Sequence, residues 1–109
     1  MMVLSSFGQR LKDYTLIKDA VAKHATVGVL HFRHEGLYAS YVSCQLLTNL
    51  FTQEVIVRDY AIPLKLSTSI ILEIVEGAVK ALKHVYRSNI EYAKVEVNFG
   101  NLELAAGGR

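Results

Sequence analysis

The sequence predicts an α+β fold, an antiparallel sheet of about four to five strands packed against a long helix in the C-terminal half and a second helix near the N-terminus. Three observations carry this. Leu66 to Asn89 has helical periodicity over its whole length, Tyr92 to Phe99 alternates with the period of a strand, and Thr26 to Ile62 is rich in Val, Tyr, Phe, Ser and Thr with strong turn residues between the runs. The expected order is helix, strand, strand, strand, helix, strand, strand.

In the long helix Glu73, Glu76, Lys80, Lys83 and Arg87 recur at spacings of three, four, three and four, forming a narrow polar stripe. The remaining residues are mostly apolar and cover far more of the circumference than the arc of about 100° that a helix resting on a single core shows. A second burying partner is therefore expected. Ser67 is the expected N-cap, Leu66 and Ile71 would form a hydrophobic staple, and Asn89 can stop the helix in the left-handed conformation. On this placement Ile71, Val75, Ala78, Leu82 and Val85 face the sheet of their own chain, while Ile70, Ile74 and Ala81 lie to one side and meet another subunit. Gly77 is either tolerated or marks the close approach of another backbone.

The first helix is expected over Ser6 to His24, where Phe7, Leu11, Tyr14, Ile17 and Val21 follow a three-to-four-residue period. Gly8 and Thr15 weaken its start, so the firmly helical part can begin at Asp13, itself a good cap. A hairpin follows, pairing Thr26 to Arg33 with Leu37 to Cys44 through a loop that ends in a left-handed Gly36. Glu54 to Ile62 reads as a third strand ended by Pro63, which suits an edge or a strand end. Gln45 to Thr52 fits a helical turn or a strand extension equally well. In Tyr92 to Phe99 the residues Ala93, Val95, Val97 and Phe99 should face the core, and Tyr92, Lys94, Glu96 and Asn98 water. Gly100-Asn101 fits a hairpin turn returning through Leu102 and Leu104, with residues 105–109 a loose tail.

At 109 residues the chain suits a single domain, and 51% hydrophobic residues, a single Pro and 20% charged residues describe a packed core rather than disorder. The longest uncharged run, Leu37 to Gln53, is interrupted by Ser, Thr, Asn and Gln, so neither a membrane span nor a signal peptide is expected. A single cysteine, Cys44, cannot form an internal disulfide, so a cytoplasmic location is the default and a small core residue is its expected role. The net charge of +2 names no partner, because acids are interleaved with the basic residues.

No spacing points to catalysis. His31 and His34 would diverge on a strand, no H-E-x-x-H, C-x-x-C, glycine-rich phosphate loop or G-x-S-x-G occurs, and no metal or cofactor is expected. Asp59, between Arg58 and Tyr60 in the third strand, is the charged cluster worth inspecting, because Asp is depleted in strands and needs a reason there.

The main expectation is thus a small non-enzymatic binding or scaffold protein that works as a homo-oligomer, most simply a dimer, through Ile70, Ile74 and Ala81. The alternative is a nucleic-acid-binding protein, with Arg33 and Lys65 beside Tyr38, Tyr60 and Tyr92 and with Lys94 on a sheet face where bases stack and phosphates are met. A small enzyme with a site in a subunit cleft, using a histidine or Asp59 and Tyr60, is the second alternative. The element order is similar to that of the double-stranded-RNA-binding module, but Ser67-Thr68-Ser69 stands where that module's second helix begins Lys-Lys. Gly28 to Ser40 resembles the first hairpin of roadblock-type dynein light-chain domains, which are non-catalytic dimers, over that hairpin only, and neither family is assigned.

Overall fold

The computed structural model describes residues 2–48, 57–68, 70–100 and 102–104. The chain forms β1 (Met2–Leu11), α1 (Tyr14–His34), β2 (Leu37–Leu47), β3 (Val57–Thr68), α2 (Ile71–Val85), β4 (Tyr92–Gly100) and the short β5 (Glu103–Leu104). The fold is α+β. Four antiparallel strands lie in the order β1-β4-β2-β3, and β5 pairs with the start of β2.

The N-terminal segment differs from its expected helix. Ser5, Ser6 and Gly8 are poor helix formers, and the backbone of Met2–Ser6 instead pairs with Asn98–Lys94 of β4. The helix starts where Asp13 caps it, its carboxylate accepting from the N–H of Thr15 at 2.8 Å and of Leu16 at 3.4 Å.

Helix α1 then continues through Thr26 to Arg33, which the sequence reading made a strand. Ile17, Val21, Ala25, Gly28, Val29 and Phe32 are its buried residues, a helical period that runs unbroken past the β-branched cluster. Thr26 fits because its hydroxyl donates to the Ala22 carbonyl at 2.9 Å. There is accordingly no hairpin over Gly28 to Ser40. Gly36 does take the left-handed conformation, φ 73°, but it ends a helix rather than a hairpin loop.

Strand β3 contains Pro63 and runs on to Thr68, absorbing Leu66 and Ser67, the expected staple and N-cap. Pro63 is tolerated because β3 is an edge strand. Helix α2 starts after Ile70, with no side-chain cap, and ends at Val85; Asn89 has φ 66° in the turn beyond rather than at the helix end. Gln45 to Leu47 extend β2, while 49–56, including the beginning of the expected third strand, lie outside the described residues. Asn101 and the tail 105–109 also lie outside them, and β5 pairs Leu104 with Leu37 of β2 instead of folding back on β4.

Both helices cover the same face of the sheet. Helix α1 packs against β1, β4 and β2, α2 against β2 and β3, and the helices pack against each other. The wide apolar arc of α2 is thereby explained inside the chain. Ile74 and Ala81, assigned to a subunit interface, are fully buried, with Ala78 and Leu82. Ile70, the third residue of that set, is 57% exposed. The second burying partner is α1. Gly77 permits close approach of α2 to the sheet, since a Cβ there would sit 2.8 Å from Val42 Cγ1 and 3.5 Å from Leu64 Cδ2, side-chain rather than backbone atoms.

Candidate nucleic-acid interface

Strand periodicity divides the sheet into a covered and an open face. The covered face carries Val42, Cys44 and Leu46 of β2 and Val95, Val97 and Phe99 of β4, all buried. The alternate positions form the open face: Tyr41, Ser43, Gln45 and Leu47 from β2, Lys94, Glu96 and Asn98 from β4, and Asp59, Ala61 and Pro63 from β3. Register sets these in rows across the sheet with β2 in the middle: Lys94 opposite Leu47, Gln45 between Glu96 and Asp59, Ser43 between Asn98 and Ala61, and Tyr41 between Gly100 and Pro63.

Among the described residues the face is largely polar and carries one lysine and two carboxylates. Its residues on β4 are half-buried, and Asp59 is exposed. Asn98 donates through Nδ2 to Glu96 Oε1 at 2.7 Å, which fixes both side chains along β4. Tyr41 lays its ring over Gly100, where any Cβ would overlap it, so a glycine in the adjacent strand makes room for an aromatic surface. Hydroxyl, amide and ammonium donors on such a surface suit contacts to phosphate and sugar oxygens. Three titratable groups of the kind needed for a metal do not converge anywhere among the described residues.

The residues named for a nucleic-acid surface are scattered by the fold. Lys94 lies on the open face. Tyr60 lies on the opposite, covered side, stacked on His84 of α2 with ring centroids 4.0 Å apart. Tyr92, expected to face water, is fully buried. The register of β1 and β4 shifts between Ser6 and Leu11, next to the Leu11–Tyr92 pair. Tyr92 packs near Tyr86, and its hydroxyl accepts from the Arg87 N–H at 3.1 Å. Arg33 is exposed in the last turn of α1, away from the sheet's open side. Tyr38 is half-buried opposite Glu103 of β5, and Lys65 belongs to β3. Tyr41 and Gln45, which the sequence does not single out, also lie on the open face, beside Asn98, expected on the wet side of β4. Tyr41 and Gln45 share the parity of Ser43 in β2, a signal that was available once β2 was correctly bounded.

The other chemical candidates separate. Cys44 is buried on the covered face, where burial, with Asp59 adding to it, pushes the thiol up to about 12, so it is no nucleophile. Asp59 and Tyr60 point to opposite faces and form no common site. His31 and His34, at helical rather than strand spacing, flank a shallow groove of about 510 Å³ with Val27, Leu30 and Glu35.

Comparison with known proteins agrees with this architecture. The model of the impB/mucB/samB family C-terminal domain matches residues 1–109. Protein UmuC of Salmonella typhimurium is 29% identical over 98 residues, which are 88% of this chain and 23% of that protein. The chain therefore spans about a quarter of that curated relative. Among solved structures, an insertion ternary complex of Dbh DNA polymerase matches with a TM-score of 0.75 at 8% identity, over 94% of this chain and 28% of that chain. A complex of the β-clamp processivity factor with the little finger domain of PolIV matches with a TM-score of 0.59 at 8% identity, over 94% of this chain and 87% of that chain. At such identities the two structures show a shared fold. The expectation of a self-associating scaffold is overturned by the end-to-end family match, and its physical premise is removed by α1, which covers the arc assigned to a second subunit.

Proposed function

The chain belongs to the impB/mucB/samB family, matching its C-terminal domain from end to end, and from that premise we propose that it is a DNA-holding domain of a DNA polymerase, with the open face of its sheet laid on the nucleic acid. The observation that carries this is the segregation of the sheet, both helices on one side and an uncovered polar surface on the other. Lys94 meets a phosphate, Gln45 and Asn98 supply hydrogen bonds to the backbone, and Tyr41 offers a flat ring. Contacts of this kind position DNA without reading sequence, which suits a domain that must accept whatever template passes. Polymerisation itself belongs to the rest of the protein, and the cytoplasm is the compartment of such work. This is the nucleic-acid alternative of the sequence reading, on a different set of residues.

The test is fluorescence anisotropy of a labelled primer-template duplex at 50 to 300 mM salt. Binding in the range of about 10⁻⁴ to 10⁻⁶ M that weakens steeply with salt is expected, because phosphate contacts release counterions. Lys94→Ala should weaken binding uniformly across sequences and lower the salt slope by about 1. Absence of binding at 50 mM salt, or indifference to Lys94→Ala, would contradict the reading. The same titration with a β-clamp in place of DNA tests the partner present in the PolIV complex.

A further inference from the structure

We infer that Glu96 and Asp59 restrain the affinity of the open face for DNA, so that the domain releases and re-engages duplex instead of clamping it; this rests on the function proposed above. A surface built only to grip phosphates carries an excess of basic residues, because each phosphate contact adds to affinity. The described part of this face carries Lys94 against two carboxylates, Glu96 on β4 and Asp59 on β3.

Their placement is central rather than peripheral. Glu96 pairs with Gln45 and Gln45 with Asp59, so the acids flank the middle strand in a single row. Adjacent strands are about 4.8 Å apart, and residues two apart on a strand about 7 Å. A phosphate held by Lys94 thus lies near Glu96, and one over β2 lies near both acids, within the screening length of about 8 Å at physiological salt.

Glu96 is also held in place. Its Oε1 accepts one of the two Asn98 Nδ2 hydrogens at 2.7 Å, which ties the carboxylate to its own strand and leaves the second Nδ2 hydrogen to donate elsewhere. DNA phosphates are anions too, so the two carboxylates repel them while Lys94 attracts. An Asp in a strand, unexpected from propensity, here has a reason: it sits on the uncovered side of an edge strand, where it faces the ligand rather than a core.

The experiment compares the full chain with Glu96→Gln, Asp59→Asn and the double variant in the duplex titration, with Lys94→Ala alongside. Gln retains the carbonyl oxygen that accepts from Asn98, so only the charge is removed, and thermal melts confirm folding. Each single variant should bind about three-fold tighter and the double variant about ten-fold tighter, from Coulomb energies at these separations in water. The gain should shrink between 50 and 300 mM salt. Unchanged or weaker binding by both single variants, with Lys94→Ala still weakening it, would overturn the restraint and leave the DNA-holding reading standing. Failure of the wild-type chain and every variant to bind would overturn both.

Discussion

The ring of Phe99 lies directly against Gly28, closer than any side chain at position 28 would allow: a Cβ there would be 2.6 Å from the ring's Cζ and would overlap Cε2. Phe32, one turn further along α1, meets the same ring edge to face at 5.4 Å. Helix α1 is thus seated on β4 by a glycine and two phenylalanines, and a glycine in mid-helix, normally unfavourable, is retained because the sheet needs the space.

Gly28→Ala should therefore destabilise the protein despite a helix-propensity gain of about 1 kcal/mol. Overpacking costs about 1–3 kcal/mol, so a net loss of up to about 2 kcal/mol is expected in urea denaturation, and Phe99→Leu in the Gly28→Ala background should recover part of it. Equal or greater stability of Gly28→Ala would show that the ring moves aside freely.

Ile74→Glu and Leu82→Ala should both act on folding rather than on assembly, because each side chain is fully buried within its own chain. Leu82→Ala should cost about 2–5 kcal/mol through a cavity. Ile74→Glu should cost at least about 3 kcal/mol by burying an unpaired charge. Circular dichroism melts measure both, and sedimentation of the wild type and of Leu82→Ala should give the same molecular mass.

His24, half-buried on α1, titrates below the usual histidine range, first because burial disfavours the imidazolium and second because Lys23 adds repulsion. The unfolded state then binds the proton more readily than the folded state. Stability from this group is fully present above about pH 6.5 and is lost as pH falls through the folded value. Melting temperature should decline on acidification from pH 7.5 through this window, and His24→Gln should flatten that part of the profile.

Cys44 should resist a thiol reagent in the native protein at pH 8, since a buried thiol pushed up to about 12 offers almost no thiolate. Complete reaction should follow unfolding in guanidinium. Rapid native labelling would mean that β2 opens locally.

The segments legible in the sequence were those where local and global preferences agree. Val95, Val97 and Phe99 alternate with polar residues and form the inner face of β4 as expected. The stretch Ile71–Val85 has both strong helix formers and the helical period, and it is a helix. Gly36 and Asn89 do adopt positive φ, and Pro63 does lie on an edge strand. Thr26 to Arg33 was not legible, because Val27, Gly28 and Val29 favour a strand locally while the apolar period from Ile17 to Phe32 favours a helix; burial of that whole stripe on the sheet decides between them.

The candidate site was still less legible, since a face depends on register. Residue patterns alone were enough for an α+β chain, the apolar faces of α2 and β4, the turn at Gly36 and a core cysteine. Contacts between distant segments set the rest: residues 2–11 form a strand, α1 covers the arc of α2 assigned to a partner, Tyr60 lies on the helix side and Tyr92 is buried, and Tyr41 and Gln45 share the open face with Lys94. The reason is physical: periodicity reports how much apolar surface an element must bury, whereas what buries it depends on contacts between residues far apart in the chain.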